Sequence, residues 1–146
     1  MFRTVSIAIA LTSALAISAG VAFAADAPSA ASTHIVLRPQ AFHTIEAPPK
    51  RPSAGDTAIT VYRVLDATGA KRLGRAQFVC VATDAGDRHQ QCTGTITLPD
   101  GQLATQGDAS HVAIVGGSRA YAGARGTATG QDHPDRIDVT LHLLDA

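Results

Sequence analysis

The chain has 146 residues, with 12 basic and 12 acidic side chains and no net formal charge when histidine is neutral. That balance excludes the basic patch or stripe of a nucleic-acid-binding surface and the polybasic segment of an electrostatic membrane anchor. Tryptophan is absent and aromatic residues are 4% of the chain, so a stacking platform for bases or sugars is poorly supplied.

Residues 1–24 read as a secretory signal peptide. Arg3 supplies the positive start, Val5 to Ala19 is apolar or small, and Ala22-Phe23-Ala24 is a small-x-small cleavage site before Ala25. Position 25 is not cysteine and no Arg-Arg pair precedes the apolar run, so lipoprotein and twin-arginine export are not indicated. The expected destination is secreted or periplasmic, with no membrane attachment after cleavage. Residues 25–32 are small and polar and read as a disordered leader, and 33–146 as one domain large enough to bury a core.

Thr33–Leu37 is a short strand candidate ended by Pro39, and the three prolines between Ala47 and Ser53 favour an extended surface connection. From Gly55-Asp56 onward the pattern is β. The expected strands are Thr57–Leu65, Leu73–Thr83, Gln90–Leu98, Gln102–Gln106, His111–Val115, Ala124–Gly130 and Arg136–Leu144. Turn residues separate them: Asp66 to Gly69, Asp84 to Asp87, Pro99-Asp100-Gly101, Gly107-Asp108 and Gln131 to Asp135. Eight short strands without a helix-period segment describe an antiparallel sandwich or barrel. In the last strand Ile137, Val139, Leu141 and Leu143 share one face, so a slip of one residue would expose all four.

Cys80 and Cys92 are the only cysteines. If Asp84 and Arg88 flank a three-residue tip, the two face each other across the hairpin, within disulfide reach. In an exported chain the expected state is a bridge; the other reading is a reactive thiol. The six histidines (His34, His43, His89, His111, His133 and His142) show no metal-ligand spacing. No hydrolase elbow, phosphate-binding loop or dinucleotide fingerprint is present, so neither metal nor cofactor is called for.

The most distinctive stretch is Ile114 to Gly126. An apolar strand meets Gly116-Gly117, then Ser118, Tyr121, Gly123 and Ala124-Arg125-Gly126. Gly116, Gly117 and Gly126 read as structural turn positions, with the adjacent pair a sharp reversal at a strand end. This segment resembles the glycine-rich signature of the allene oxide cyclase barrels and of the plant dirigent proteins, over roughly Asp56–Leu144. The resemblance implies an all-β, eight-stranded antiparallel, calycin-like barrel, often trimeric, with an apolar cavity open at one end. It also implies cofactor-free work on a small apolar or aromatic molecule: cyclisation of an unstable epoxide in the cyclases, stereoselective coupling in the dirigent proteins. Orienting a reactive molecule lowers a barrier by itself.

The chain departs from both patterns. Arg119 replaces the second turn glycine, Ala120 stands where dirigent proteins carry an acid, and the first strand offers no match to the cyclases' polar residues. The fold therefore transfers, and the named activities do not. Three residues are candidates for the ligand, each with a second reading. Arg125 either binds a carboxylate or phenolate in the cavity or pins the turn. Tyr121 either donates a proton or plugs the barrel end. Asp56 is either a pocket acid or an acceptor for turn amides. Two functions follow: a barrel that binds a small apolar or aromatic molecule and steers its cyclisation or coupling, as a homotrimer or homodimer, or a non-catalytic secreted or cell-envelope structural barrel with a filled interior. The interior volume separates them.

Overall fold

The computed structural model describes residues 30–48, 53–85, 89–108 and 111–144. The stretch read as a signal peptide, residues 25–29 of the expected leader and the proline-rich run at 49–52 lie outside them. Eight strands follow one another: β1 (Ala30–Ile45), β2 (Thr57–Asp66), β3 (Arg72–Ala82), β4 (Gln90–Leu98), β5 (Gly101–Gly107), β6 (Val112–Arg119), β7 (Arg125–His133) and β8 (Arg136–Leu144). Each pairs antiparallel with the next, and β1 pairs with β8, closing the barrel. Closure leaves the sheet without a free edge along most of its length.

The largest difference from the sequence reading is β1. It begins at Ala30, inside the stretch read as a leader, and runs through Pro39 to Ile45. Barrel geometry explains the length. The row of paired residues Phe42, Thr60, Phe78, Gly94, Thr105, Ile114, Gly126, Leu143 passes once around the sheet and returns to β1 at Ala31. Tilted strands with this stagger need a first strand long enough to meet β8 over Ala30–Leu37 and β2 over Ile35–Ile45. Pro39 is tolerated because β8 pairing ends at Leu37 and the register with β2 shifts between Pro39 and Ala41. A missing N–H costs least at such a bulge.

The second difference is at the glycine pair. β6 continues through Gly116 and Gly117 to Arg119, and the chain reverses only over Arg119 to Ala124. Tyr121, Ala122 and Ala124 donate to the carbonyls of Ser118, Arg119 and Tyr121. The left-handed positions are Arg119 (φ 57°) and Gly123 (φ 79°). Gly117 is needed for close approach: a Cβ there would lie 2.3 Å from the Tyr121 carbonyl oxygen and 2.7 Å from that of Gln102.

Antiparallel order puts the β2–β3, β4–β5 and β6–β7 turns at one end of the barrel and the β3–β4, β5–β6 and β7–β8 turns at the other. The first end is closed. Ile35, Val64, Leu103, Ile114 and Leu141 are all at most 2% exposed there, and Leu73, Leu143 and Tyr121 pack against them. The four aliphatics of β8 face inward as their alternation predicts.

Candidate functional site

Toward the other end the inward positions turn small: Cys80, Cys92, Gly94, Thr105, Ala128 and Gly130. Because these side chains cannot meet across the barrel, they leave a cavity of about 400 Å³. Its walls are Leu37, Ile96, Val112, Ile137 and Val139 on the aliphatic side, with Tyr62 and Phe78 opposite. The two rings stand edge to face, centroids 5.8 Å apart with a 75° interplanar angle. Phe78 faces Gly94 directly, and its ring lies across that glycine: a Cβ at 94 would fall 2.3 Å from Phe78 Cδ1.

A disulfide joins Cys80 and Cys92, whose register across β3–β4 is the one their spacing implies. Both cysteines line the cavity, so the bridge forms part of its wall.

The polar groups in the cavity are few. Thr105 is 4% exposed and its Oγ1 has no hydrogen-bond partner. Burial pushes the Tyr62 phenol above its ordinary range; a hydrogen bond with Thr60 opposes this, and the Asp132 carboxylate adds to the rise. Tyr62 is therefore a neutral donor at ordinary pH. Asp108 and Asp132 complete the lining at the mouth, on the exposed ends of β5 and β7. Asp108 Oδ1 accepts the His111 backbone N–H at 2.6 Å and lies 3.4 Å from His111 Nδ1. Among the described residues no Lys, Arg or His lines the cavity.

The three residues singled out from the sequence are not brought together, and none lines this cavity. Arg125 is exposed at the closed end and donates from Nη1 to the Ala124 carbonyl at 2.9 Å. Tyr121 packs on the core at the same end; burial, and then the Asp100 charge, raise its phenol. Asp56 is at the opposite end, 9% exposed, and accepts from Ala47 N–H, Ser53 N–H and the Ser53 hydroxyl. The backbone amide of Ser53, then that of Ala47, hold its carboxyl below the usual range. The lining residues that sequence reasoning passed over are Tyr62, Phe78, Thr105, Asp108 and Asp132. Their signal was parity: Phe78 shares an inward face with Cys80, and Tyr62 and Thr105 follow from the register on either side.

A closed eight-stranded barrel, packed at one end and hollow at the other, has an interior wide enough to hold one small ligand. Solved structures share it. A pyocyanin demethylase matches with a TM-score of 0.68 at 20% identity, covering 77% of this chain and 99% of the other. An exo-specific intermolecular Diels-Alderase, AbnU, matches at 0.63 and 15% identity, covering 79% and 98%. A pterocarpan synthase dirigent protein matches at 0.61 and 14%, covering 80% and 84%. The dirigent and cyclase barrels are thus similar to this chain in fold, as the glycine-rich segment implied. No family model matches the sequence, and no curated protein matches it.

Proposed function

We propose that the protein is an exported barrel that takes a small, largely apolar ring compound into its open end and steers that compound's cyclisation or coupling. The observation that carries this reading is the cavity of about 400 Å³, in the size range of ligand sites, in a barrel whose other half is packed solid. A filled interior, the mark of a purely structural barrel, describes only the closed half. The neighbours' names support the reaction type: an intermolecular Diels-Alderase and a pterocarpan synthase dirigent protein. A disulfide and a cleavable apolar N-terminus support export.

The chemistry available is positional. The aliphatic wall and the two rings hold a flat molecule in one orientation, which converts loss of freedom into rate. The neutral Tyr62 phenol donates a hydrogen bond to an oxygen that gains charge as the molecule reacts.

Native mass spectrometry of protein recovered from its host tests the reading and counts subunits, for which a homotrimer or homodimer is proposed. The expected result is a retained mass of a few hundred daltons, lost in Phe78→Ala. Protein recovered empty, together with no thermal shift from any of a panel of polycyclic compounds, overturns it.

A further inference from the structure

Two polar features of the cavity lie at different depths: the Thr105 hydroxyl and the carboxylates of Asp108 and Asp132. Thr105 lies at the inner part, beside Gly94 and the Phe78 ring: a Cβ on Gly94 would fall 2.8 Å from its Oγ1. This hydroxyl is almost fully buried and has no partner. A buried hydroxyl left unpaired is costly and rare in a folded protein. Its cross-strand neighbours are Gly94 and Ile114 and the Phe78 ring lies beside Gly94, none of which offers a side-chain partner, so what satisfies it has to come from the cavity.

The mouth has a different character. Its charged lining residues are Asp108 and Asp132. Three basic groups at this end pair with other carboxylates. Arg136 Nε is 2.9 Å from Asp138 Oδ1, and His133 Nε2 is 3.0 Å from Asp138 Oδ2. His89 faces Asp84 at 3.9 Å. Asp108 pairs with His111, whose Nδ1 lies 3.4 Å from its Oδ1. Asp132 has no ion-pair partner among the described residues and acts on the Tyr62 phenol. A pocket edge of one sign attracts the opposite sign.

The distance between the two polar levels sets the length of what fits. Thr105 lies two residues before the end of β5 at Gly107, about 7 Å at the rise of an extended strand, and Asp108 follows in the turn. An apolar cavity of about 150 Å³ accepts one benzene ring, so one of about 400 Å³ has room for two or three fused rings.

The geometry points to a ligand class: a flat, fused-ring cation. Its hydrogen-bonding oxygen or nitrogen meets the Thr105 hydroxyl, its rings lie against Phe78 and Tyr62, and its positive charge sits between Asp108 and Asp132 at the mouth. This rests on the reading of the cavity as a small-molecule site, and it adds the charge and polarity of the molecule that the site selects.

The test uses ring-matched probes followed by fluorescence titration in mildly alkaline buffer, where acridine is uncharged. The probes are N-methylacridinium, acridine, acridine carboxylate and N-methylacridone. The cation is expected to bind about five- to tenfold more tightly than neutral acridine, and the anion most weakly. Asp132→Asn and Asp108→Asn each shrink that preference, read as the ratio of cation to acridine affinity in the same variant. Added salt shrinks it as well. N-methylacridone carries the ring ketone that Thr105 requires, and Thr105→Val, which keeps the side-chain shape, removes its advantage over acridine.

Equal binding of cation, neutral and anion, or a preference that survives the Asp108→Asn/Asp132→Asn double variant, overturns the charge assignment while leaving the cavity a binding site. An N-methylacridone advantage that survives Thr105→Val overturns the deep contact. If no probe binds the wild-type protein, the small-molecule reading falls and this inference with it. Far-UV circular dichroism of each variant confirms that the barrel is intact.

Discussion

Gly94→Ala is the sharpest single change the cavity allows. The new methyl carbon would stand 2.3 Å and 2.6 Å from Phe78 Cδ1 and Cε1. Non-bonded carbons rest about 3.5–4.0 Å apart, so the ring has to retreat by more than 1 Å. The strand lies behind the methyl, and the only free space for the ring is the cavity. Overpacking of this kind costs about 1–3 kcal/mol, a Tm reduction on the order of 5–10 °C for a chain of this length. The displaced ring also occupies space a ligand needs, so acridine affinity is expected to drop about fivefold or more. Thermal denaturation and dye titration measure the two effects on the same sample. Phe78→Leu removes the ring, so in the Phe78→Leu/Gly94→Ala double variant the methyl has room and the two costs are less than additive. Strict additivity, or a Gly94→Ala protein as stable and as tightly binding as the parent, would refute the placement of the Phe78 ring over Gly94.

Four further outcomes follow from the same structure. Reduction of the Cys80–Cys92 bridge, or a Cys80→Ala/Cys92→Ala double variant, releases a loop with sequence separation 12. The cost is about 3 kcal/mol and a Tm roughly 10 °C lower, read by scanning calorimetry with and without reductant. Asp56, Asp66 and Asp138 all have carboxyls held below their ordinary value, by the Ser53 amide, the Thr68 hydroxyl and the Arg136 guanidinium respectively. Their stabilisation is complete above the unfolded carboxylate value near 4 and is lost as pH falls through the folded values. Tm is therefore flat above about pH 5 and declines below about pH 4, and the triple Asn variant, measured over the same range, declines less. Gly117→Ala meets two backbone carbonyls and is expected to cost more than about 2 kcal/mol, whereas Gly116→Ala, whose nearest neighbour is Arg125 Nη1 at 3.8 Å, is neutral or slightly stabilising. Arg119 holds a left-handed conformation at φ 57°, so Arg119→Gly keeps or raises Tm and the β-branched Arg119→Val lowers it.

How much of this was legible in the sequence depended on whether a feature is local. β4 and β8 begin and end where their alternation and flanking turn residues place them. The Cys80–Cys92 pairing followed from one hairpin register. β1 was misread because its length is dictated by closure of the whole barrel, which no local pattern encodes, and Pro39 looked like a terminator when it marks a bulge. The reversal near Gly116 was placed too early because two adjacent glycines read as a turn. Only the crossing of the Tyr121 backbone shows that Gly117 serves close packing within a strand. The cavity is the least local feature. Asp108 and Asp132 sit among turn-forming residues and read as punctuation, yet the stagger of the strands brings both to one mouth.

The barrel's two ends answer opposite demands. At the closed end large aliphatics interdigitate and supply the burial that holds the fold. At the open end many inward positions are glycine, alanine, threonine or cysteine, which bury little, so β3 to β5 have less to pack on there than at the closed end. The disulfide crosses β3–β4 at that level, with Cys92 6% exposed. A covalent tie there restores rigidity to the part of the sheet that the cavity has weakened, without filling the space. Cys80→Val/Cys92→Val separates these roles. Valine replaces the sulfurs with hydrocarbon of comparable size, so the wall is kept and the tie is lost. If the bridge serves to hold the open end in shape, amide hydrogen exchange in β3 and β4 rises at least tenfold while β1 and β8 stay protected. Uniform exchange across all eight strands would show instead that the barrel opens as one unit and that the bridge stabilises it only globally.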